Sequence, residues 1–306
     1  MTDHFPLVAG VELGGTKGVA LIARGRRILR QARVPTSLPG ETLTALSDRI
    51  AEWTGDLGPL DALGIASFGP LGLDTKRRDF GFITRTTKPG WSNIDLLGHF
   101  QARFEVPIGF DTDVGGAAIA ETLWGAGVGQ SVVVYVTVGT GIGGGIAVNG
   151  QPVHGSIHPE IGHLRIRRAP GDPFSGICAF HGDCLEGLAS GPAIAARAGA
   201  PAETLGPDHP AWSTVAEALA EMVVSLILTL SPERILIGGG VVTGMPFLLP
   251  MIRAATLVRL GGYVTGLTAA LLARMVRPPA LGERAGPLGA IALGLRVMRN
   301  PAQPYS

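Results

Sequence analysis

Residues 7–14 (LVAGVELG) form an almost unbroken apolar run that ends in a glycine turn. A short run of this kind is the pattern of a strand buried on both faces. GVALIA (18–23) and RILRQARVP (27–35) continue it as two further strands of a meander. Leu43, Leu46 and Ile50 recur at helical spacing and predict a helix over 41–53. ALGIASFG (62–69) reads as a strand again, followed by a helix over 93–104 entered from a Ser-Asn cap. VPIGF (106–110) is a short buried strand, and the next helix carries Ala117, Ala118 and Ala120 toward Trp124.

The pattern then restarts. SVVVYVTVG (131–139) and GGGIAVNG (143–150) are two strands joined by a glycine-rich turn, as at the beginning of the chain. No letter-by-letter repeat accompanies this recurrence, but it predicts two related α/β lobes with a cleft between them. The later part is more helical, over 188–198, 212–230, 246–259 and 288–297, with one strand, ERILIGGG (233–240), among the helices. The longest apolar stretch, Val215 to Leu230, is interrupted by Glu217 and Glu221. It is shorter than the roughly 20 residues of a membrane span and is read as a buried helix.

Composition narrows the function classes. The chain has 306 residues, room for two core-bearing domains, and a net charge of +1, so no global field recruits nucleic acid or an anionic membrane. Met1 to Pro6 lacks a basic segment followed by an apolar one, so no secretory signal is expected and the cytoplasm is the expected compartment. Glycine is the outlier, at 46 positions, roughly twice the usual share. There is no collagen period and no linker tract, which leaves tight turns and close backbone approach as its uses.

Three glycine clusters follow or end strands: Gly14-Gly15-Thr16-Lys17, Gly139-Thr140-Gly141 through Gly145, and Gly238-Gly239-Gly240. Backbone N–H groups in such turns can approach phosphate oxygens, and Thr hydroxyls add donors. Any one of them is equally an ordinary hairpin turn; three in one chain favour phosphate binding. None is read as a Walker loop or dinucleotide fingerprint, because those lead from the glycines into a helix. FDTDVGG (110–116) places Asp111 and Asp113 where a strand passes into a helix. Either could cap that helix; Asp111 is taken as cap or support and Asp113 as the general base of a phosphoryl transfer.

The most specific constellation comes next. His158-Pro159-Glu160-Ile161-Gly162-His163 is followed by Cys178-Ala179-Phe180-His181-Gly182-Asp183-Cys184 and then Leu185-Glu186-Gly187. The chain's two cysteines alternate with a histidine, and one upstream histidine completes four N/S ligands, the closed set of a structural zinc. Glu160 and Glu186 flank this cluster. They suit a polyol, since each carboxylate can accept two hydroxyl hydrogen bonds, or are surface residues without a partner.

These residues resemble the ROK family (repressors, open reading frames, kinases), specifically its bacterial fructokinases, from about residue 8 to 296. The stretches that carry the resemblance are ELGGTK (12–17), IASFGPL (65–71), TKPGW (87–91), FDTDV (110–114), TVGTGIGGG (137–145), HPEIGH (158–163), CLEGLASGPAI (184–194) and PERILIGGGV (232–241). The resemblance implies two ribonuclease-H-like lobes of the actin/hexokinase type, each with a five-stranded sheet, closing over ATP-Mg²⁺ and a sugar. The expected lobes are 1–115 and 116–286, the second with a zinc-binding loop, while a helix over about 287–300 packs back on the first.

In this reading Gly14, Gly15, Thr16 and Lys17 form one phosphate loop, and Thr137, Gly139, Thr140 and Gly141 another, while Gly239 and Gly240 approach the adenosine. Asp113 matches the catalytic base acting on the sugar 6-hydroxyl. Glu160, His163 and Glu186 match sugar contacts, with Thr112 assigned beside them, and His163 joins Cys178, His181 and Cys184 around structural Zn²⁺. A homodimer is expected from the family. Two departures stand out: Gly115 where the family usually has Asn, and Ala179 where a proline is common. Mannose and glucose are the alternative substrates. A sugar-responsive DNA-binding regulator is the competing class; it is disfavoured because the first strand begins near Leu7, with no room ahead of it for a helix-turn-helix.

Overall fold

The computed structural model describes residues 5–299. It contains two five-stranded sheets, and the chain divides into two compact units. Of the described residues, the first comprises 5–128, 150–159 and 283–299; the second comprises 129–149 and 160–282.

In the first unit β1 (Leu7–Leu13), β2 (Lys17–Arg24) and β3 (Arg27–Pro35) form the expected antiparallel meander. After α1 (Pro39–Leu57), strand β4 (Ala62–Ser67) pairs parallel to β1. A two-stranded ribbon, β5 (Phe82–Ile83) and β6 (Ile94–Asp95), precedes α2 (Leu96–Gln101). Strand β7 (Ile108–Thr112) then joins β4 in parallel and runs directly into α3 (Asp113–Trp124). The sheet order is β3-β2-β1-β4-β7. The helix expected over 93–104 is shorter at its start, because Ile94 and Asp95 are claimed by the ribbon and Asn93 is left-handed at φ 60°. Asp95, rather than Ser92-Asn93, caps α2: its carboxylate accepts from the Gly98 N–H at 2.8 Å.

Both faces of β1 are covered, which is why it is apolar on both sides, Glu12 excepted, instead of alternating. Leu7, Ala9, Val11 and Leu13 pack into one core with Leu43, Leu46 and Ile50 of α1. Val8 faces the other way, into a cluster with Ile291 and Val297 of α10 (Ala285–Arg299), the last helix of the chain. Helix α10 lies on a row of glycines. Gly10 of β1 pairs with Gly64 of β4, which pairs with Gly109 of β7. A Cβ on Gly64 would stand 1.8 Å from the Ala290 carbonyl oxygen, and one on Gly109 2.3 Å from that of Leu293. The same device recurs between helices, where a Cβ on Gly289 of α10 would meet the Gly116 backbone of α3 at 2.6 Å. Part of the glycine excess therefore serves helix seating in the core.

The segment 150–159 also belongs to this unit and contains the two-residue strand β10 (Gln151–Pro152). In the second unit β8 (Val132–Val138) pairs antiparallel with β9 (Ile142–Val148) and parallel with β11 (Arg234–Gly238), which pairs parallel with β12 (Val276–Arg277). The second sheet runs β10-β9-β8-β11-β12. The single helix expected over 188–198 is two, α4 (Leu185–Ala189) and α5 (Gly191–Ala198), broken at the extended Ser190. The break frees the Gly191 N–H to donate to the Gly139 carbonyl at 2.8 Å.

Helix α6 (Ala211–Leu230) buries Trp212, Leu219, Met222 and Val223. Among the described residues it alone is long and apolar enough to cross a membrane, yet half of its most apolar window is buried inside the fold. Arg259 of α8 (Leu248–Leu260) bridges its Glu217 and Glu221 at 3.3 and 2.7 Å. Two short helices, α7 (Gly240–Gly244) and α9 (Ala269–Met275), complete the unit.

Candidate active site

The candidate groups are distributed over the two units. In the first, the turn between β1 and β2 is closed by the Gly14 N–H donating to the Lys17 carbonyl at 3.0 Å. The Thr36 hydroxyl fixes it from below by donating to the Gly14 carbonyl at 2.8 Å. Gly15, Thr16 and Lys17 stay exposed, and a Cβ on Gly15 would meet nothing within 4 Å. The turn therefore offers free space around its backbone, as an anion-binding loop requires.

Asp113 opens α3, with its Oδ1 accepting from the Val114 N–H at 2.9 Å. The cap itself is Thr112, not Asp111: the Thr112 hydroxyl accepts from the Gly115 N–H at 2.9 Å. With 6% of its surface exposed, Thr112 is buried where it holds the turn. Asp111 is buried; its Oδ1 accepts from the Thr112 N–H at 2.6 Å, and its Oδ2 lies 3.0 Å from His154 Nε2.

Glu12, near the end of β1, stands in the ELGGTK stretch and has no role assigned from the sequence. Burial, reinforced by the charge of Asp113, raises its carboxyl to about 7, against the smaller opposing pull of Lys17 and Arg33. An acidic residue inside an otherwise apolar buried strand was the available signal. His158, which opens the HPEIGH stretch, accepts at Nε2 from the Leu71 N–H at 3.1 Å. Burial holds its pKa below the ordinary histidine value.

In the second unit two of the glycine clusters meet. The Gly139 N–H donates to the Gly141 carbonyl at 2.9 Å, and a Cβ on Gly139 would lie 3.9 Å from the Gly240 nitrogen. Gly239 adopts φ 86°, and a Cβ there would press on Val138 at 2.4 Å and on the Thr137 hydroxyl at 2.7 Å, so both conformation and space demand glycine. Contrary to expectation, the third cluster does lead into a helix, α7. The starts of α5 and α7 thus converge on Gly139, bringing backbone N–H groups together at one place.

Glu186 of α4 ties this turn to the neighbouring group. Its Oε2 accepts from the Ile142 N–H at 2.9 Å and occupies space that a Cβ on Gly141 would need, at 2.6 Å. Burial raises the pKa of Glu160; the charge of His163 lowers it and that of Glu186 raises it, so the three groups share one electrostatic neighbourhood.

His163, Cys178, His181 and Cys184 converge as expected, with donor atoms all within 4.8 Å of one another. His163 Nδ1 lies 3.5 Å from Cys184 Sγ and 3.8 Å from Cys178 Sγ, and His181 Nδ1 lies 3.7 Å from Cys178 Sγ. Tetrahedral zinc with bonds of about 2.0–2.3 Å gives ligand–ligand edges of roughly 3.4–3.8 Å, so these separations suit such an ion. A hairpin in which Cys178 and Gly182 exchange N–H···O=C bonds at 3.0 and 2.9 Å presents His181. Outside it, Arg165 and Arg168 both reach Asp183, at 3.1 and 3.4 Å. Burial pushes the Cys184 thiol up in the metal-free form; a bound cation reverses that preference, because it binds the thiolate.

The ROK family model matches residues 8–297. The chain belongs to the ROK family. Among curated ROK-family relatives it is 44% identical over 292 residues to a fructokinase of Zymomonas mobilis, covering 93% of this chain and 95% of that protein. A fructokinase of Pediococcus pentosaceus is 36% identical over 295 residues, covering 96% and 99%. Among solved structures, a ROK hexokinase from Thermus thermophilus superposes with a TM-score of 0.78 at 27% identity, over 96% of this chain and 99% of that one. A ROK glucokinase from Streptomyces griseus, in complex with glucose and AMPPNP, gives 0.71 at 25% identity, over 94% and 99%. The fold is therefore the two-sheet α/β architecture of the ROK sugar kinases.

Proposed function

We propose that this protein is an ATP-dependent fructokinase of the cytoplasm, converting D-fructose and ATP to fructose 6-phosphate and ADP. The observation that carries this reading is the 36–44% identity to fructokinases along nearly the whole chain. In the proposed reaction Asp113 accepts the proton of the sugar 6-hydroxyl as its oxygen attacks the γ-phosphorus. Its place at the first turn of α3 suits it to a carboxylate role, since the helix dipole stabilises negative charge there.

Glu160, His163 and Glu186 are proposed to accept or donate hydrogen bonds to sugar hydroxyls. Gly14 to Lys17, and Thr137 with Gly139 to Gly141, cradle phosphate oxygens through N–H, hydroxyl and ammonium donors. Gly239 and Gly240 lie along the adenosine. Mg²⁺ accompanies the nucleotide and neutralises phosphate charge. Zinc at His163, Cys178, His181 and Cys184 would fix the loop between Glu160 and Glu186, ordering the residues that bind sugar and taking no part in the chemistry. The family resemblance supports a homodimer.

A coupled ADP-release assay with ATP, Mg²⁺ and a panel of hexoses tests the proposal. Fructose is expected to give the highest kcat/KM. A higher value for glucose or mannose would reassign the substrate, and absence of turnover with every hexose would reject the kinase reading.

A further inference from the structure

Asp111 is a carboxylate that the proposed chemistry does not use, yet it is 1% exposed in a sheet core. A buried carboxylate costs several kcal/mol unless compensated, so its surroundings identify what it serves. Oδ1 accepts from the Thr112 N–H at 2.6 Å and from the Thr112 hydroxyl at 3.3 Å. Oδ2 has His154 Nε2 at 3.0 Å, a close polar approach without an aligned hydrogen bond. Gly115 is what leaves the carboxylate its room: a Cβ there would stand 2.4 Å from Asp111 Oδ1 and 2.8 Å from Thr112 Oγ1. The residue that departs from the family pattern is thus matched to the buried Asp111.

His154 lies on the segment 150–159, which is anchored at two further points. Arg296 of α10 donates from Nε to the Gln151 side chain at 2.8 Å, and the charge of Asp111 favours its protonated guanidinium, against the larger effect of burial. Four residues beyond His154, His158 accepts from the Leu71 N–H at 3.1 Å. The two histidines are held in opposite tautomers. A carboxylate facing Nε2 keeps the proton on that nitrogen of His154, whereas the Leu71 N–H facing Nε2 of His158 leaves its proton on Nδ1, 3.3 Å from the Pro159 carbonyl.

We propose that His154 is a positioning residue for phosphoryl transfer: it clamps Asp111, and so fixes the strand-to-helix turn from which Asp113 is presented. The proposal rests on the reading of Asp113 as the base. The connection runs from α10 to Gln151, along the backbone of 150–159 to His154, and then through Asp111 to the Thr112 cap, one residue before Asp113. Release of Asp111 at its Oδ2 end lets the turn relax, and displacement of a reacting group by about 1 Å can cost about 10²-fold in rate.

The test measures kcat and KM with fructose and ATP for the full-length chain, alongside thermal melts. His154→Leu keeps the volume but removes the N–H; it is expected to lower kcat about 10–100-fold with both KM values within about threefold. His154→Gln, which returns an N–H within reach of Oδ2, is expected to recover to within about fivefold of the parent. In Asp111→Asn, the further change His154→Leu should cost at most a small part of what it costs alone, because the two act as a unit. A His154→Leu enzyme within twofold of the parent, a loss confined to KM, or a Gln variant as impaired as Leu would each overturn the proposal. Should His154→Leu fail to fold, Asp111→Asn takes its place under the same kcat criterion. Asp113→Asn, run in parallel, separates the two levels. If it retains full turnover the base assignment fails, whereas a nearly inactive Asp113→Asn beside a normal His154→Leu defeats the positioning role alone.

Discussion

Glu12 gives the sharpest electrostatic prediction. Its carboxyl is raised from the ordinary 4.5 to about 7, first by burial and then by the negative charge of Asp113. Between those two values the folded chain holds a proton that the unfolded chain has lost, so stability falls as pH rises through that window. Below pH 4.5 both states are protonated and there is no penalty; above pH 7 the penalty is complete. At 1.36 kcal/mol per pKa unit the penalty comes to about 3 kcal/mol. Glu12→Gln removes the titration but leaves a buried amide to be satisfied, so a net gain of about 1–3 kcal/mol at pH 8 is expected.

Urea denaturation of ligand-free parent and variant, followed at pH 5, 6, 7 and 8, measures it. The stability difference should grow in favour of Gln by about 2 kcal/mol across that series, most of it between pH 5 and 7. In an Asp113→Asn background the growth should shrink, because the second cause of the shift is gone. A parent–variant difference that stays flat with pH, within about 0.5 kcal/mol, would refute the assignment of Glu12 as a buried carboxyl strained by its neighbours.

Three further outcomes follow from the geometry. Asp113→Asn should bind fructose and ATP with near-parental Kd while kcat drops about 10²–10⁴-fold, as read by calorimetry and the coupled assay. Cys178→Ser should lose zinc and weaken fructose affinity, checked by elemental analysis and fructose titration; retention of one zinc per chain would remove Cys178 from the ligand set. Gly64→Ala would put a methyl 1.8 Å from the Ala290 carbonyl oxygen and should cost about 3 kcal/mol or more, seen as a lowered urea midpoint, whereas Gly15→Ala, where nothing lies within 4 Å, should leave stability nearly unchanged.

Local chemistry made the elements and the metal set readable from the order of residues. LVAGVEL reads as a buried strand, and two cysteines alternating with a histidine offer a candidate ligand set by type and spacing. Gly139 and Gly239 were visible as turn residues for the same reason. What the order of residues could not show was which turns meet, since the approach of Gly139 to Gly240 depends on β8 and β11 pairing side by side across about a hundred residues of chain. Nor could it show that Gly10, Gly64 and Gly109 form one row under α10, because that register belongs to the sheet and not to any segment. The capping of α3 by Thr112 and the pairing of Asp111 with His154 were hidden likewise: a carboxylate's partner is set by what folding brings within about 3 Å of it. Sequence fixes periodicity and donor type; only tertiary packing decides which long-range neighbours share a space too small for a Cβ or too dry for an unpaired charge.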